Sequence, residues 1–275
     1  KTAYWLELKD SKSRGGKDPQ VKQGFQVKLN RTRVGHDLAP LGSESYLVLG
    51  GTMDGPGPCG TPPTPGCDSD WEKNNVGELL SLTGGTAGAK LLTFSGQTPE
   101  ATGWHTLTPI GHADGASGSP SSLLLAGGFL LGRETDNLRS VNDQVSKKSR
   151  LMLITDGASP KVQSINYTPT GAFKPVGYHD ALVLADGSVL LSGGNVNSNF
   201  IKTAPCDSYT TQFCAYDQLV TYALNKSNYP QMRSTKVTTM SMGRFGHRTV
   251  RLMDNTVLIT GGVTTKLEKT QGTTV

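Results

Sequence analysis

Short aliphatic runs separated by turn-forming residues recur along the whole chain. In one place the runs Ala181–Leu184 and Val189–Leu191 flank Asp186 and Gly187, and a similar pair of runs surrounds Asn255. Asp, Asn and Gly tolerate the positive φ of a tight hairpin turn, so each pair of runs predicts a β-hairpin. No segment of ten or more residues carries a helical period, and the chain is therefore predicted to be all-β.

A histidine followed about fourteen residues later by two glycines recurs four times along the chain, which indicates a repeat architecture. The members are His36 with Gly50 and Gly51, His112 with Gly127 and Gly128, His179 with Gly193 and Gly194, and His247 with Gly261 and Gly262. We interpret all of them as structural. The histidine ring would hydrogen-bond to a neighbouring strand, and the glycines would let backbones approach closely at a strand end. His105 lies outside this spacing.

A second strand pair is predicted before each histidine, so that each unit holds two outer strands, a histidine strand and a Gly-Gly strand. The outer pairs are Tyr4–Leu8 with Gln26–Leu29, Glu78–Leu82 with Lys90–Phe94, Leu151–Ile154 with Val162–Ile165, and Leu219–Leu224 with Val237–Thr239. The repeat units cover about 1–51, 76–128, 149–194 and 217–262, and long loops cover 52–76, 129–149 and 195–217. Four antiparallel strands per repeat are typical of a β-propeller blade.

The residue pattern of the repeats resembles that of the kelch family. Met242–His247 followed by Asn255–Gly262 looks like a kelch repeat, and so does Val176–His179 followed by Gly187–Gly194. The resemblance implies one kelch-like β-propeller domain over 1–275 with four recognisable four-stranded blades. The N-terminal outer strands would close the ring by pairing with the C-terminal histidine and Gly-Gly strands. Kelch propellers usually have six or seven blades, so a fragment, or further degenerate blades, are the alternatives.

The four cysteines form two closely spaced pairs, Cys59 with Cys67 and Cys206 with Cys214. Each pair lies in a loop after a Gly-Gly, where a disulfide would restrict the unfolded chain. Zinc binding is the alternative, but this spacing without a nearby histidine is poor for zinc. Disulfides predict an oxidising compartment: secreted, periplasmic or cell surface.

Composition and charge narrow the function classes. The net charge is +5, but the basic residues are scattered and aromatic residues make up only 7%, so we expect no nucleic-acid partner. No apolar run is long enough to cross a membrane as a helix. Some kelch propellers are copper-radical oxidases, which need a free cysteine. The paired cysteines argue against that chemistry, and we expect no cofactor and no metal.

The long loops that follow the Gly-Gly pairs are the candidate contact surface, because binding residues concentrate in loops carried by a rigid scaffold. The candidate binding residues are Asp54, Asp68, Asp70, Trp71, Asn195, Asn197, Asn199, Tyr209 and Phe213. The sequence predicts a binding or adhesion module for a protein or glycan, or a subunit of a surface assembly, rather than an enzyme. Two alternatives stay open: the loops only cover the blades, or the protein converts a sugar or small molecule in a central channel.

Overall fold

The structure is a computed structural model of the 275-residue chain. It describes residues 2–9, 20–30, 33, 35–40, 45–51, 77–83, 86–92, 94–96, 102–112, 121–130, 149–155, 161–167, 176–195, 215–224 and 232–264. These residues form β-strands and their connections, without a helix, so the all-β prediction is confirmed. Within them, no helix exists that has the length and apolar character to cross a membrane.

The described part of the chain contains nineteen strands. They are β1 (Thr2–Lys9), β2 (Gln20–Lys28), β3 (Asp37–Pro40), β4 (Ser45–Leu49), β5 (Glu78–Thr83), β6 (Thr86–Leu91), β7 (Phe94–Gly96), β8 (Thr102–Gly103), β9 (Thr106–His112), β10 (Ser121–Ala126), β11 (Phe129–Leu130), β12 (Ser149–Thr155), β13 (Lys161–Tyr167), β14 (Asp180–Val183), β15 (Val189–Ser192), β16 (Gln218–Leu224), β17 (Met232–Thr239), β18 (Phe245–Arg251) and β19 (Val257–Val263). Seven of the eight predicted outer strands overlap a single strand of the structure, whereas the predicted strand Lys90–Phe94 spans the end of β6 and the start of β7.

Three sheets share one order of strands. They are β3-β4-β5-β6, β9-β10-β12-β13 and β14-β15-β16-β17, each antiparallel throughout, and β7 joins the second sheet parallel to β13. The pairs β1-β2, β8-β11 and β18-β19 form separate two-stranded sheets. We name the three large sheets blade 1, blade 2 and blade 3, and the β18-β19 pair half-blade 4.

Each blade joins strands from two consecutive repeat units. Its first two strands are the histidine and Gly-Gly strands of one unit, and its last two are the outer strands of the next unit. The units predicted from sequence are therefore out of phase with the sheets, and the unit over 76–128 contains six strands, β5 to β10, rather than four. The predicted pairing of the N-terminal strands with half-blade 4 is not seen in the described residues, where β1 and β2 pair only with each other.

The tight hairpin that joins β14 to β15 shows how the turn residues act. The Leu184 N–H donates to the Ser188 carbonyl at 2.8 Å, and Gly187 closes a three-residue loop with φ of +80°. Asn255 has φ of +64° at the matching point between β18 and β19. The predicted hairpins are confirmed, but each loop has three residues with only the last in the left-handed region.

Apolar side chains fill the spaces between neighbouring sheets, because alternate residues of each inner strand face the sheets on either side. One cluster lies between blades 1 and 2, a second between blades 2 and 3, and a third between β2 and blade 1. Representative members are Leu47 and Leu123 in the first, Leu124 and Leu191 in the second, and Val27 in the third.

The repeat histidine of blade 2 is His105 rather than His112. Thr106 pairs with Ala126 directly before the glycines, just as Asp180 pairs with Ser192 in blade 3. His105 therefore precedes the first strand of its blade, as His179 does. His112 lies at the far end of β9. The longer β9–β10 connection placed His112 at the repeat spacing by coincidence, so its prediction as a repeat histidine is wrong.

Candidate functional site

The first strands of the blades border a central cleft. β3, β9, β14 and β18 lie next to one another, and together with the residues just before them they line a cavity of about 540 Å³. Each blade thus contributes the same short segment, the repeat histidine and the residues around it. The chemistry available in the cleft is set by how these segments differ between repeats.

The Gly-Gly pairs lie at the boundaries between blades, where they allow close contacts. A Cβ on Gly193 would lie 2.3 Å from the Arg244 carbonyl oxygen and 2.6 Å from Cε1 of His247, which belong to half-blade 4. A Cβ on Gly127 would meet Val176 and His179 of blade 3 in the same way. At Gly127 and Gly193 the missing side chain therefore allows the next repeat histidine to approach.

The buried histidine rings accept or donate one hydrogen bond across the blade boundary. Nε2 of His179 lies 2.9 Å from Oγ1 of Thr106, and Nε2 of His247 lies 2.7 Å from Oγ of Ser192. Burial lowers the pKa of His179 to about 3 and lowers that of His247. Both rings are thus neutral at physiological pH, and each forms a hydrogen bond that links its blade to the preceding one.

Two carboxylates bridge neighbouring inner strands. Asp37 accepts hydrogen bonds from the N–H of Leu38 at 2.9 Å and from that of Leu107 in blade 2 at 2.6 Å. Asp180 accepts from the N–H and the hydroxyl of Thr249 at 2.5 and 2.6 Å. Burial raises the pKa of Asp37, and these backbone bonds oppose the increase. The carboxylates therefore serve first as cross-links between strands.

Asp180 also reaches a cation at the cleft. The Arg248 guanidinium donates to Oδ1 of Asp180 at 3.2 Å, and its side chain is 81% exposed. Solvent weakens this ion pair, so it contributes little to stability. The arrangement leaves most of the guanidinium open to a ligand with hydroxyl or acidic groups.

A row of four backbone segments forms one rim of the cleft. The residues just before the repeat histidines are Gly35, Trp104, Tyr178 and Gly246, and all four have φ between 56° and 71°. Hydrogen bonds link them in series, from the Trp104 N–H to the Gly35 carbonyl at 2.7 Å, from Tyr178 to Trp104 at 3.1 Å, and from Gly246 to Tyr178 at 2.8 Å. We call these four residues the rim.

Two rim positions carry aromatic residues where the other two carry glycine. The rings of Trp104 and Tyr178 have centroids 5.4 Å apart, and those of Tyr178 and Phe245 are 6.2 Å apart. A positive φ at a bulky residue costs of order 1–3 kcal/mol and concentrates at functional sites. Burial raises the pKa of Tyr178 to about 12, so its hydroxyl stays protonated. The half-buried rings form a partly exposed aromatic surface beside the cleft.

The structure places only one of the predicted contact residues. Asn195 is fully buried, and its backbone exchanges two 2.8 Å hydrogen bonds with Gly177. Burial excludes it from an external contact surface, so this prediction is wrong. The other predicted binding residues and all the cysteines lie outside the described residues: Asp54, Asp68, Asp70, Trp71, Asn197, Asn199, Tyr209, Phe213, Cys59, Cys67, Cys206 and Cys214.

The aromatic rim was missed by the sequence reasoning. The available signal was the identity of the residue before each repeat histidine, which is glycine twice and aromatic twice. That contrast becomes visible only after His105 replaces His112 in the alignment of the repeats. Among the described side chains, no group of three His, Cys, Asp or Glu residues is arranged to hold a metal ion.

Comparison with known proteins gives a fold relationship and nothing more specific. No family model matches the chain, and no curated protein matches it. The solved structure of YjhT is similar with a TM-score of 0.53 and 12% identity, over 89% of this chain and 66% of that one. At this identity the likeness shows a shared fold only.

Two other solved structures are less similar. They are RAG in complex with one melted and one unmelted RSS (TM-score 0.49, 15% identity, 90% of this chain and 62% of that one) and a fungal alcohol oxidase of the AA5 family in complex with copper (0.48, 13%, 93% and 53%). The chain thus spans between about half and two thirds of the three structures.

Proposed function

We propose that this chain is a single kelch-like β-propeller domain that binds an extracellular or cell-surface ligand in the central cleft. Support for the propeller comes from the shared strand order of the blades and from the four inner strands around one cavity. The Gly-Gly and histidine contacts repeat at two boundaries, between blades 2 and 3 and between blade 3 and half-blade 4. The proposal also includes the disulfides predicted in the loops after the Gly-Gly pairs, and an oxidising compartment.

The observation that carries the binding function is the aromatic rim. Trp104 and Tyr178 keep a backbone conformation that glycine adopts at Gly35 and Gly246 without strain. Since an ordinary scaffold position would favour glycine here, the two rings need another reason to be present. Aromatic rings beside polar groups suit the face of a sugar ring or the side chain of a protein partner. The exposed Arg248 guanidinium favours a glycan with hydroxyl or carboxylate groups.

An enzyme that converts a sugar in the same cleft is the second candidate. The raised pKa of Asp37 favours it, because buried carboxyl groups with shifted pKa values are common at catalytic sites. Against it, both oxygens of Asp37 already accept backbone hydrogen bonds. In Asp180, Oδ2 accepts from Thr249 and Oδ1 accepts from Arg248. A general base needs an oxygen within reach of the substrate, so binding is the better-supported function.

The test compares wild type with Tyr178→Gly, Trp104→Gly and Tyr178→Phe on a glycan array and in pulldown from cell-surface extracts. Glycine is native at the equivalent rim positions, so relief of roughly 1–2 kcal/mol of strain offsets part of the lost packing and the variants fold. We expect loss of binding in both glycine variants and retention in Tyr178→Phe, which keeps the ring.

Unchanged binding in both glycine variants would remove the rim from the site. A wild-type protein that binds no glycan and no surface protein would refute the binding function altogether. Any glycan that does bind is then incubated with the protein and followed by NMR. Conversion of the sugar, lost in Asp37→Asn, would favour the enzyme.

A further inference from the structure

Half-blade 4 has an open edge where every complete blade has two more strands. The Gly-Gly strands β4, β10 and β15 each pair with a strand on both sides. β19 is the Gly-Gly strand of half-blade 4, and among the described residues it pairs only with β18. Over its seven residues, the outer edge of β19 therefore faces no described strand. Such an edge is a template for another strand.

The same half-blade exposes an apolar face. Leu47, Leu124 and Leu190 occupy one position of the Gly-Gly strand, facing the next blade, and none is more than 8% exposed. Leu258 holds this position in β19 and is 48% exposed, and its cross-strand partner Val250 is also 48% exposed. The face is apolar, as the faces at the blade boundaries are, but no described strand packs against it.

Two further residues show which surface would fit there. A Cβ on Gly261 would meet no atom within 4 Å, whereas Gly127 and Gly193 at the equivalent positions lie against the next repeat histidine. His36 is the repeat histidine that precedes blade 1, and it is exposed while His179 and His247 are buried. Among the described residues, no repeat histidine lies against Gly261, and no Gly-Gly pair lies against His36.

The β1–β2 hairpin is an outer strand pair of the kind that half-blade 4 lacks among the described residues. Val27 in β2 and Leu29 just after β2 pack against Val48 and Leu80 of blade 1. The hairpin therefore lies where the outer strands of a preceding blade would lie, and it has no inner strands of its own. Blade 1 beside it leaves Leu38 45% exposed on the side that faces this preceding blade.

We propose that half-blade 4 of one molecule binds the β1–β2 hairpin of a second copy of this chain, with β19 pairing to β1. Because β2 is already packed on blade 1, this pairing brings His36 of the second copy to Gly261 and Leu38 to Leu258. Among the described residues, β19 and β1 each pair with only one neighbouring strand, and the proposal takes the matching strand from a second copy. Such a contact is head-to-tail, and it closes into a ring of copies or continues as a filament.

This self-association is independent of ligand binding in the cleft, and its readout is mass, so the two proposals fail separately. Sedimentation velocity is measured across a concentration series for wild type, Leu258→Asp, Leu38→Asp and an equimolar mixture of the two variants. Val237→Asp, at an exposed apolar residue on β17 outside the interface, is the matched control. Near-ultraviolet circular dichroism identifies any variant that has not folded.

We expect wild type and Val237→Asp to associate, and each interface variant to self-associate about a hundredfold more weakly because a carboxylate is buried against apolar groups. The mixture regains a dimer, since one partner keeps an intact half-blade 4 and the other an intact blade 1 face. Hydrogen exchange of the β19 amides adds a second readout. A monomeric wild type with rapidly exchanging β19 amides overturns the proposal. A monomer with protected β19 amides also overturns it, and shows that the chain's own hairpin covers the edge.

Discussion

Replacing Gly193 by alanine tests the close contact between blade 3 and half-blade 4. The new methyl group would lie 2.3 Å from the Arg244 carbonyl oxygen and 2.6 Å from Cε1 of His247. Neither neighbour is the free end of a flexible side chain, because the carbonyl belongs to the backbone and the imidazole is buried. The contact can be relieved only by separating blade 3 from half-blade 4.

Gly261→Ala is a matched control at the equivalent position of the last repeat. Its φ of +70° is close to the +61° of Gly193, so both alanines carry a left-handed backbone penalty of roughly 1–2 kcal/mol. Nothing lies within 4 Å of the Gly261 methyl position. Overpacking adds about 1–3 kcal/mol at Gly193 alone. The expected losses are therefore about 2–5 kcal/mol for Gly193→Ala and about 1–2 kcal/mol for Gly261→Ala.

Urea and thermal unfolding of the monomer measure the difference. For chains of 150–250 residues, 1 kcal/mol corresponds to a shift in Tm of about 2–4 °C, so Gly193→Ala should melt several degrees below Gly261→Ala. Equal losses in the two variants, at a concentration where sedimentation shows only monomer, would refute the reasoning. The blade boundary would then tolerate a methyl group, or Gly261 would already be covered within the monomer.

Three further predictions concern buried polar groups. The folded chain keeps His179 neutral with its pKa at about 3, against an ordinary 6.5, so the unfolded state binds more protons below pH 6.5. Stability should be constant above about pH 7 and fall by up to about 1.4 kcal/mol per pH unit as the pH drops below 6.5, with a shallower fall in His179→Gln. Asp180→Asn should lower the free energy of unfolding by about 1–3 kcal/mol in urea titrations, because its charge-assisted bonds to Thr249 weaken; an unchanged midpoint would show that the cross-link is dispensable. Glu78→Gln leaves the buried Arg33 guanidinium, 3.0 Å from the carboxylate, without its counter-charge and should cost about 3–5 kcal/mol, whereas the double variant that also carries Arg33→Met should recover part of that loss.

The repeat pattern could be predicted because its residues have local, physical reasons to recur. Aliphatic runs around Gly187 and Asn255 specify hairpins, and the glycine pairs mark the strand that precedes each blade boundary. The phase of the sheets could not be predicted in this way. Whether a Gly-Gly strand pairs with the outer strands before it or after it depends on contacts between distant residues.

The candidate site was harder to predict than the fold. His112 has the expected spacing only because the connection before the glycines of blade 2 is long, and this spacing concealed His105. The positive φ at Trp104 and Tyr178 contradicts local propensity, so it can be recognised only from the tertiary structure. Asn195 was assigned to a loop because it follows a glycine pair, yet its backbone extends the sheet pairing into the interior.

The offset between repeat units and blades has a consequence for how the chain responds to cutting. A protease that cleaves between β4 and β5, or between β15 and β16, separates two consecutive repeats in sequence but divides a single sheet. The ladders Ser45–Val48 with Glu78–Ser81 and Val189–Ser192 with Leu219–Tyr222 still join the two fragments. A nicked chain should therefore migrate as one species under native conditions and as two after denaturation. The connections between β6 and β7, between β13 and β14 and between β17 and β18 are instead the places where a whole blade ends.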